Sequence, residues 1–199
     1  QADAMVFYTK HPIDKYEKMG IPRERMFEAP NTVAVETLAE NPIKDSLLFI
    51  GTLYRQKGIQ FLLDAYKNNK DNPNLVPLNI IGKGPDSDAI DRWIKDNGMQ
   101  EIIKMHGAIY DDHEKANYFA RAYACISPLQ AGLSVLESMG YGVPFVTVKD
   151  AITGGESFNI HNNVDGVVMN SVEELSTVVA DIFNNKRNYI QYGKNAKSF

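Results

Sequence analysis

Short apolar runs alternate with amphipathic segments along most of the chain. Several of the runs are apolar throughout, rather than alternating apolar and polar residues, and they have the length of strands. A strand with two apolar faces is typical of a parallel sheet that is covered on both sides. The pattern predicts main strands at Met5–Tyr8, Ser46–Ile50, Leu78–Ile81, Ile102–His106, Tyr123–Ser127, Pro144–Val148 and Gly166–Met169.

The segments between these strands have the spacing of helices that are apolar on one face. The clearest of them places large apolar side chains at Ile59, Leu62, Leu63 and Tyr66. A later stripe covers residues 172–183, and Ser171 with Glu174 predicts a capping box at the start of that helix. Alternating strands and helices predict an α/β fold with a Rossmann-like, doubly wound parallel sheet.

The first 45 residues form a separate region in this pattern. They contain the opening strand, a helix predicted at Asp14–Met19, a short strand at Met26–Ala29 and a polar connection over residues 30–45. We therefore divide the chain into residues 1–45, the end of one domain with a linker, and residues 46–199, the main domain. The chain opens on Gln1 and stops within a helical pattern, so we expect it to be part of a longer protein.

Composition narrows the class of protein. The chain has 199 residues, 44% of them hydrophobic, which is enough to build a folded core. Its net charge of -4, without a basic stripe, argues against nucleic-acid binding. The single cysteine, Cys125, lies in an apolar run and suits a reduced, cytoplasmic setting. No apolar run is long enough to span a bilayer, which leaves open a peripheral contact with the inner face of the membrane.

The turn after the Tyr123–Ser127 strand carries the strongest functional signal. A loop of mostly small residues leads into a helix that carries Glu137 about one turn from its start. Such a corner presents backbone N–H groups to an anion, and helical side chains lean back toward that end. A helical glutamate is usually a solvated surface group, but flanking apolar residues and glycines place this one near a buried edge. A phosphate beside a pair of hydroxyls, as in a ribonucleoside diphosphate, would match the corner.

The first strand of the main domain also ends in residues that suit an anion. Gly51 is followed by Arg55 and Lys57 just before the next helix. Arginine can bind phosphate oxygens with a fork of donors and lysine with a point charge. Two basic residues in a loop can equally be solvated, and their spacing is not that of a Walker P-loop.

Two further strand ends are weaker signals at the same edge of the sheet. Gly82-Lys83-Gly84 allows close backbone approach, although a tight turn with a helix cap at Asp86 or Ser87 explains it as well. His106-Gly107 ends the next strand, where a lone histidine is more often structural than catalytic. No second ligand stands at metal-binding distance in the sequence, which argues against a metal site.

Taken together, these motifs resemble the donor-binding, C-terminal half of retaining GT-B glycosyltransferases of family 4, the group 1 transferases. The match covers Phe49-Ile50-Gly51-Thr52 with Lys57-Gly58, Ile80-Ile81-Gly82-Lys83-Gly84-Pro85, Met105-His106-Gly107, and Gly132-Leu133-Ser134-Val135-Leu136-Glu137 with Gly142-Val143-Pro144. Each motif alone is moderately specific, whereas their order and spacing match over nearly the whole chain. The resemblance implies the C-terminal half of a GT-B fold.

The resemblance also implies roles for the matching residues. Lys57 would bind the donor diphosphate and Glu137 the ribose hydroxyls, and these two side chains would form the catalytic pair. The amides around Gly132, Leu133 and Ser134 would cradle the phosphates or the sugar. The remaining residues implied to line the donor site are Gly51, Gly82, Gly84, His106 and Gly107, with the base near the last two.

Two positions depart from the family pattern. The family often has an arginine directly after the first glycine, where this chain has Thr52, so Arg55 is the alternative phosphate contact. It also tends to have a second glutamate eight positions before Glu137, where this chain has Leu129. Gln130 is the alternative contact to the donor sugar, and the departure bears on both sugar identity and activity.

The implied function is that of a hexosyltransferase-type enzyme. It would transfer sugar from a UDP- or GDP-linked donor to an acceptor hydroxyl with retention of configuration, in polysaccharide or glycoconjugate biosynthesis. The resemblance implies no cofactor or metal ion besides this co-substrate. A glycan or lipid-linked acceptor would bind through a further domain, so we expect the isolated chain to bind nucleotide without transferring sugar. Two alternatives stay open: a Rossmann-type module for another nucleotide, and a non-catalytic domain that retains the fold.

Overall fold

The computed structural model describes residues 3–36 and 43–198 and contains two parallel sheets. The strands are β1 Met5–Phe7, β2 Met26–Glu28, β3 Ser46–Ile50, β4 Leu78–Ile81, β5 Ile103–Gly107, β6 Ala122–Ile126, β7 Phe145–Val148 and β8 Gly166–Met169. The helices are α1 Lys10–Lys18, α2 Ile59–Asn68, α3 Ser87–Asp96, α4 Asp112–Arg121, α5 Ser134–Gly140, α6 Leu175–Asn184 and α7 Lys186–Lys197. Short 3₁₀ turns occupy Arg23–Arg25, Arg55–Lys57, Glu156–Asn159 and Val172–Glu174.

The main sheet has six parallel strands in the order β5-β4-β3-β6-β7-β8. The chain builds outward from β3 to β5, returns to place β6 beside β3, and then builds outward in the other direction. This arrangement confirms the predicted doubly wound α/β sheet. The reversal of strand order between β3 and β6 is the position where open α/β sheets bind their ligands.

Both faces of the central strand are covered. Leu47, Leu48 and Phe49 are each 0% exposed, and successive residues of a strand point to opposite faces. Helix α4 packs on β3 and β6, and helix α7 packs on β6 and β8. Helix α2 packs on α6, and its buried residues belong to the same hydrophobic core. The continuous apolar runs of the sequence are therefore explained by burial on both sides, as the strand prediction requires.

The N-terminal segment forms its own two-stranded parallel sheet, β1 with β2, closed by α1. Ile13 and Met26 are buried between these elements. Helix α1 begins at Lys10, four residues before the predicted start, because Pro12 falls in the first helical turn, where its missing N–H costs no hydrogen bond. The predicted boundary between residues 45 and 46 stays a prediction, and linker residues 37–42 lie outside the described residues.

Residues 31–36, which follow β2, form hydrogen bonds with side chains from the loops after α5 and β7. Asn31 Nδ2 donates to the buried Glu156 carboxylate (2.9 Å), and the Glu36 N–H donates to the Tyr141 hydroxyl (3.1 Å). The Tyr141 ring in turn stacks on Phe119 of α4 with centroids 4.7 Å apart. Residues 31–36 therefore contact the part of the main domain that follows β6.

The predicted capping box at Ser171 is wrong. Residues 172–174 form a 3₁₀ turn and α6 begins only at Leu175, with no side-chain cap hydrogen bond from Ser171. The Ser171 hydroxyl instead bonds Glu173 and helps to lower the pKa of that exposed carboxyl. Within residues 3–36 and 43–198, no helix is both long and apolar enough to cross a membrane.

Helix α7 packs closely on the turn that follows α5. A Cβ atom added to Gly193 would lie 2.2 Å from the carbonyl oxygen of Gly142, a distance that no real contact reaches. The two backbones therefore approach each other at a point where no side chain fits. This contact fixes the position of the C-terminal end of α5. The N-terminal end of α5 lies at the edge of the sheet where β3 and β6 end.

We predict that Gly193→Ala destabilises the fold although alanine is the better helix former. In an open helix the change would stabilise by about 1 kcal/mol. Here overpacking against Gly142 should lower the free energy of unfolding by about 1–3 kcal/mol, measured by urea denaturation. Lys194→Ala, at the exposed next position of α7, is the control and should stay within about 0.5 kcal/mol of wild type. A more stable Gly193→Ala protein would contradict the close contact.

Candidate functional site

The loops after β3 and β6 lie side by side and enclose an open cavity of about 410 Å³, which we call the switch-point cavity. Its lining consists of Ile50, Gly51, Thr52, Tyr54, Lys57, Gln130, Gly132, Leu133, Ser134 and Glu137. Most of the residues singled out from the sequence therefore meet in one place. Their meeting follows from topology, because parallel β3 and β6 end at the same edge of the sheet.

Lys57 is the electrostatic centre of this cavity. It belongs to the 3₁₀ turn before α2, is only 8% exposed, and its Nζ lies 3.1 Å from where a Gly51 Cβ would stand. Among the described residues, its ammonium has no hydrogen-bond acceptor and no carboxylate partner. Burial lowers the pKa of Lys57, an effect that Cys125 partly opposes. Since no protein anion lies beside it, the ammonium of this largely buried side chain is available to an anion in the cavity.

Unused hydrogen-bond donors face the same cavity from the loop after β6. In the described part of the chain, the N–H groups of Gly132, Leu133 and Ser134 donate to no protein acceptor, whereas those of Val135 and Glu137 donate to the carbonyls of Gly132 and Leu133. The Ser134 hydroxyl is also buried without a hydrogen-bond partner from the described residues. These donors and the Lys57 ammonium together form a pocket suited to oxygen atoms that carry negative charge.

Glu137 reaches the cavity from α5 but is not a free carboxylate. Its Oε1 lies 2.9 Å from Nζ of Lys115 in α4, and the two side chains are 19% and 18% exposed. The Lys115 ammonium also lies 2.7 Å from Asp112 Oδ1, one turn earlier in α4. Burial lowers the pKa of Lys115, but hydrogen bonds and charges from Asp112 and Glu137 outweigh burial and raise it to about 12.

Lys115 and Tyr54 carry no signal in the sequence that links them to the site. Lys115 stands three residues after Asp112, a spacing typical of a surface ion pair, so only the packing of α4 beside α5 reveals its contact with Glu137. Tyr54 lines the cavity, and its hydroxyl donates to Oε1 of Gln130. No local pattern marks this second contact, which joins residues far apart in the sequence.

Gln130, rather than Leu129, lies at the cavity. The Leu129 side chain packs on the start of α2, where a Cβ added to Gly58 would come within 2.6 Å of Leu129 Cγ. Gln130 lines the cavity, and its backbone forms an isolated bridge with Ile152. The position that departs from the family pattern is therefore used for packing, and the adjacent amide takes its place at the cavity wall.

A second cavity of about 210 Å³ adjoins the first and shares Ile50, Gly51 and Thr52 with it. Its other lining residues are Ile81, Gly82, Lys83, Ala108, Ile109 and Tyr110. Gly82 fits because a Cβ there would lie 1.9 Å from the Gly51 carbonyl oxygen. Gly84 sits outside this cavity in a turn against Leu53, and the Ser87 hydroxyl closes that turn by bonding Gly84 instead of capping α3.

Besides Gly84, three predicted site residues are not brought to either of these cavities. Arg55 is exposed and lines a different cavity together with Gly58 and Leu129. His106 Nε2 lies 2.8 Å from Asn79 Oδ1, and the imidazole contacts Tyr118 on its other side. Gly107 accepts a hydrogen bond from the Gly82 N–H (2.7 Å), just before the residues that line the second cavity.

The described residues contain no group of three or more His, Cys, Asp or Glu side chains that could hold a metal ion. Cys125 in β6 is fully buried, and burial raises the pKa of its thiol to about 12, which disfavours the thiolate that a nucleophile requires. The reactive features of the site are therefore its cation, its free amides and the carboxylate of Glu137.

The chain is similar in sequence to known glycosyltransferases. The model of the family "Glycosyl transferases group 1" matches residues 44–185. The uncharacterised glycosyltransferase MJ1069 of Methanocaldococcus jannaschii is 27% identical over 205 residues, 99% of this chain and 48% of that protein. The chain thus spans about half the length of this curated relative.

Two solved structures share the fold. A TarM mutant from S. aureus, in complex with fondaparinux, α-GlcNAc-glycerol and UDP, matches with a TM-score of 0.82 and 19% identity. The match covers 98% of this chain and 40% of TarM. Alr3699/HepE of Anabaena, in complex with UDP, matches with a TM-score of 0.76 and 16% identity, over 99% of this chain and 58% of HepE.

The predicted resemblance is confirmed at the level of family and fold. The family model covers more than half of the chain, and the solved neighbours are GT-B glycosyltransferases. The switch-point cavity lies in the matched region, at the edge where such sheets bind ligands. The chain belongs to the glycosyl transferases group 1 family, with the fold of the C-terminal domain of a GT-B glycosyltransferase.

Proposed function

We propose that this chain is the nucleotide-sugar donor domain of a retaining glycosyltransferase of family 4. The full enzyme would transfer a hexosyl group from a UDP- or GDP-linked donor to an acceptor hydroxyl, in polysaccharide or glycoconjugate biosynthesis. One observation carries the proposal: the ammonium of the largely buried Lys57 side chain, which has no anionic partner among the described residues, shares its cavity with free amides and with Glu137. Phosphate oxygens next to a ribose diol satisfy all three groups at once.

We assign each part of the donor to a different group of residues that line the two cavities. The diphosphate lies between Lys57 and the amides of Gly132, Leu133 and Ser134, and the ribose hydroxyls donate to Glu137. The base occupies the adjoining 210 Å³ cavity, whose Ile109 and Tyr110 supply apolar surface. The sugar lies against Gln130, which Tyr54 holds by its carbonyl oxygen so that the amide N–H groups remain available.

The chemistry assigned to these groups is electrostatic. Transfer breaks the bond between the anomeric carbon and a diphosphate oxygen, and negative charge builds up on the departing nucleotide. Lys57 and the loop amides are already in place to stabilise that charge, so no reorganisation is needed during the reaction. With the leaving group held on this face, an acceptor that attacks from the same face yields a product of retained configuration.

The relatives support the donor assignment and leave the acceptor to the rest of the protein. TarM and HepE were both solved with UDP, which favours a uridine nucleotide. Because this chain spans 48% of MJ1069, we assign the glycan or lipid-linked acceptor to the part of such proteins that it does not cover. We place the full enzyme in the cytoplasm, with peripheral contact at the inner face of the membrane.

We predict that Lys57→Met separates nucleotide binding from stability. Loss of the ammonium should weaken UDP binding about 10- to 100-fold, the range for hydrogen bonds between charged groups, as measured by isothermal titration calorimetry. Binding of uridine, which lacks phosphates, should change by less than about threefold. Because the ammonium makes no hydrogen bond or ion pair with the described residues and a largely buried cation is replaced by an apolar side chain, the melting temperature should stay constant or rise.

The matched control for this variant is Arg55→Met, two residues earlier in the same 3₁₀ turn. Arg55 lines a different cavity, so its replacement should leave UDP affinity within about twofold of wild type. A larger loss with Arg55→Met than with Lys57→Met would overturn the phosphate assignment. Failure of wild type to bind UDP, GDP or ADP would favour a non-catalytic domain, and preference for an unrelated nucleotide would favour a different Rossmann-type module.

A second prediction concerns turnover. The 199-residue chain should bind UDP or GDP and yet show no sugar transfer, because the acceptor site is assigned elsewhere. Proton NMR of reactions with UDP- and GDP-hexoses and model acceptors would measure this, and the anomeric coupling constant of product from the full-length enzyme would report its configuration. Sugar transfer by this chain alone would refute the assignment of the acceptor site to another part of the protein. A product with inverted anomeric configuration would refute a retaining mechanism.

A further inference from the structure

The ion pair between Glu137 and Lys115 joins two helices at the edge of the switch-point cavity. Glu137 lies in α5 and Lys115 in α4, and 22 residues of sequence separate them. Both side chains are more than four-fifths buried, with the Lys115 Nζ 2.9 Å from Oε1 of Glu137. This is a tertiary contact at a ligand-lining carboxylate, unlike the exposed pair between Lys95 and Asp91 within α3.

Lys115 occupies one oxygen of the carboxylate and leaves the other open. Among residues 3–36 and 43–198, Lys115 is the one donor that bonds Glu137, and the bond is made at Oε1. A glutamate side chain has three rotatable bonds and loses its preferred direction when nothing holds it. Fixing Oε1 against α4 directs the remaining lone pairs of the carboxylate toward the cavity that Glu137 lines.

Lys115 also offsets a repulsion that the ligand would create. A nucleoside diphosphate at Lys57 brings negative charge into the cavity that Glu137 shares, and like charges at close range repel each other. The Lys115 cation lies on the side of Glu137 that pairs with α4, where Asp112 anchors it at 2.7 Å. The pair holds the Glu137 carboxylate in place while the diphosphate is bound.

We propose that Lys115 is a positioning residue, which fixes the Glu137 carboxylate for the ribose diol and thereby sets the preference for ribonucleotides. The proposal rests on the donor function proposed above. Lys115 does not touch the nucleotide, and it acts through Glu137 alone. Its removal should therefore reduce the discrimination between a nucleotide that carries the diol and one that lacks it.

The test compares UDP with 2′,3′-dideoxy-UDP by calorimetry in wild type, Lys115→Met, Lys115→Arg, Glu137→Gln and the double variant Lys115→Met/Glu137→Gln. Wild type should prefer UDP by about tenfold or more, since hydrogen bonds to a carboxylate are lost with the diol. Lys115→Met should reduce this preference about three- to tenfold, and Lys115→Arg should largely keep it. The double variant should show the same preference as Glu137→Gln, because Lys115 acts only through that carboxylate.

The controls distinguish positioning from a purely structural role. Lys95→Met removes a helical lysine from an ion pair far from Glu137 and should leave both affinities unchanged. If Lys115→Met does not unfold cooperatively, Lys115→Gln, which keeps a donor but no charge, is measured in its place. Equal weakening of UDP and dideoxy-UDP by the Lys115 variants would overturn the inference, as would a preference that survives in Lys115→Met.

Failure of the inference can be told apart from failure of the donor function. If wild type binds neither nucleotide, the proposed function fails and the positioning role fails with it. If wild type binds UDP and dideoxy-UDP equally, nucleotide binding stands but Glu137 does not recognise the diol, which overturns the role of Lys115. A preference that falls in Lys115→Met and recovers in Lys115→Arg supports the inference.

Discussion

The parallel pairing of β3 with β6 is the contact on which the rest of the site depends. Leu48 and Cys125 are register partners in the middle of the sheet, and both are fully buried. Because strand order reverses between these two strands, no crossover helix covers the space beyond their carboxyl ends. The loops that follow are forced together there, and one brings Lys57 while the other brings the free amides and Glu137.

The two charges of the cavity are treated in opposite ways. Lys57 is left without a protein partner, whereas the charge of Glu137 is balanced by Lys115 from a neighbouring helix. Lys57 is therefore the charge that no carboxylate of the described residues balances, although the chain as a whole carries a net charge of -4. An unbalanced cation of this kind attracts an anion into the cavity.

Much of this arrangement could be predicted from sequence, and the limits have physical causes. The main strands were predictable because both of their faces are buried, which leaves continuous apolar runs such as Ser46–Ile50. The β6 loop was predictable because its chemistry is local in sequence. The start of α6 was not, since a 3₁₀ turn and a capping box share the same residues, Ser171 to Glu174. Lys115 and Tyr54 were missed because their partners are reached only through tertiary packing.

The buried carboxylate of Glu156 accepts hydrogen bonds from both the N-terminal segment and the main domain. It is 5% exposed and accepts hydrogen bonds from Asn31, Thr153 and the Gly154 N–H. Asn31 lies before residue 46, so a chain that begins at residue 46 would lose this donor to the buried carboxylate. We therefore expect a chain that begins at residue 46 to be less stable than one that keeps residues 31–36.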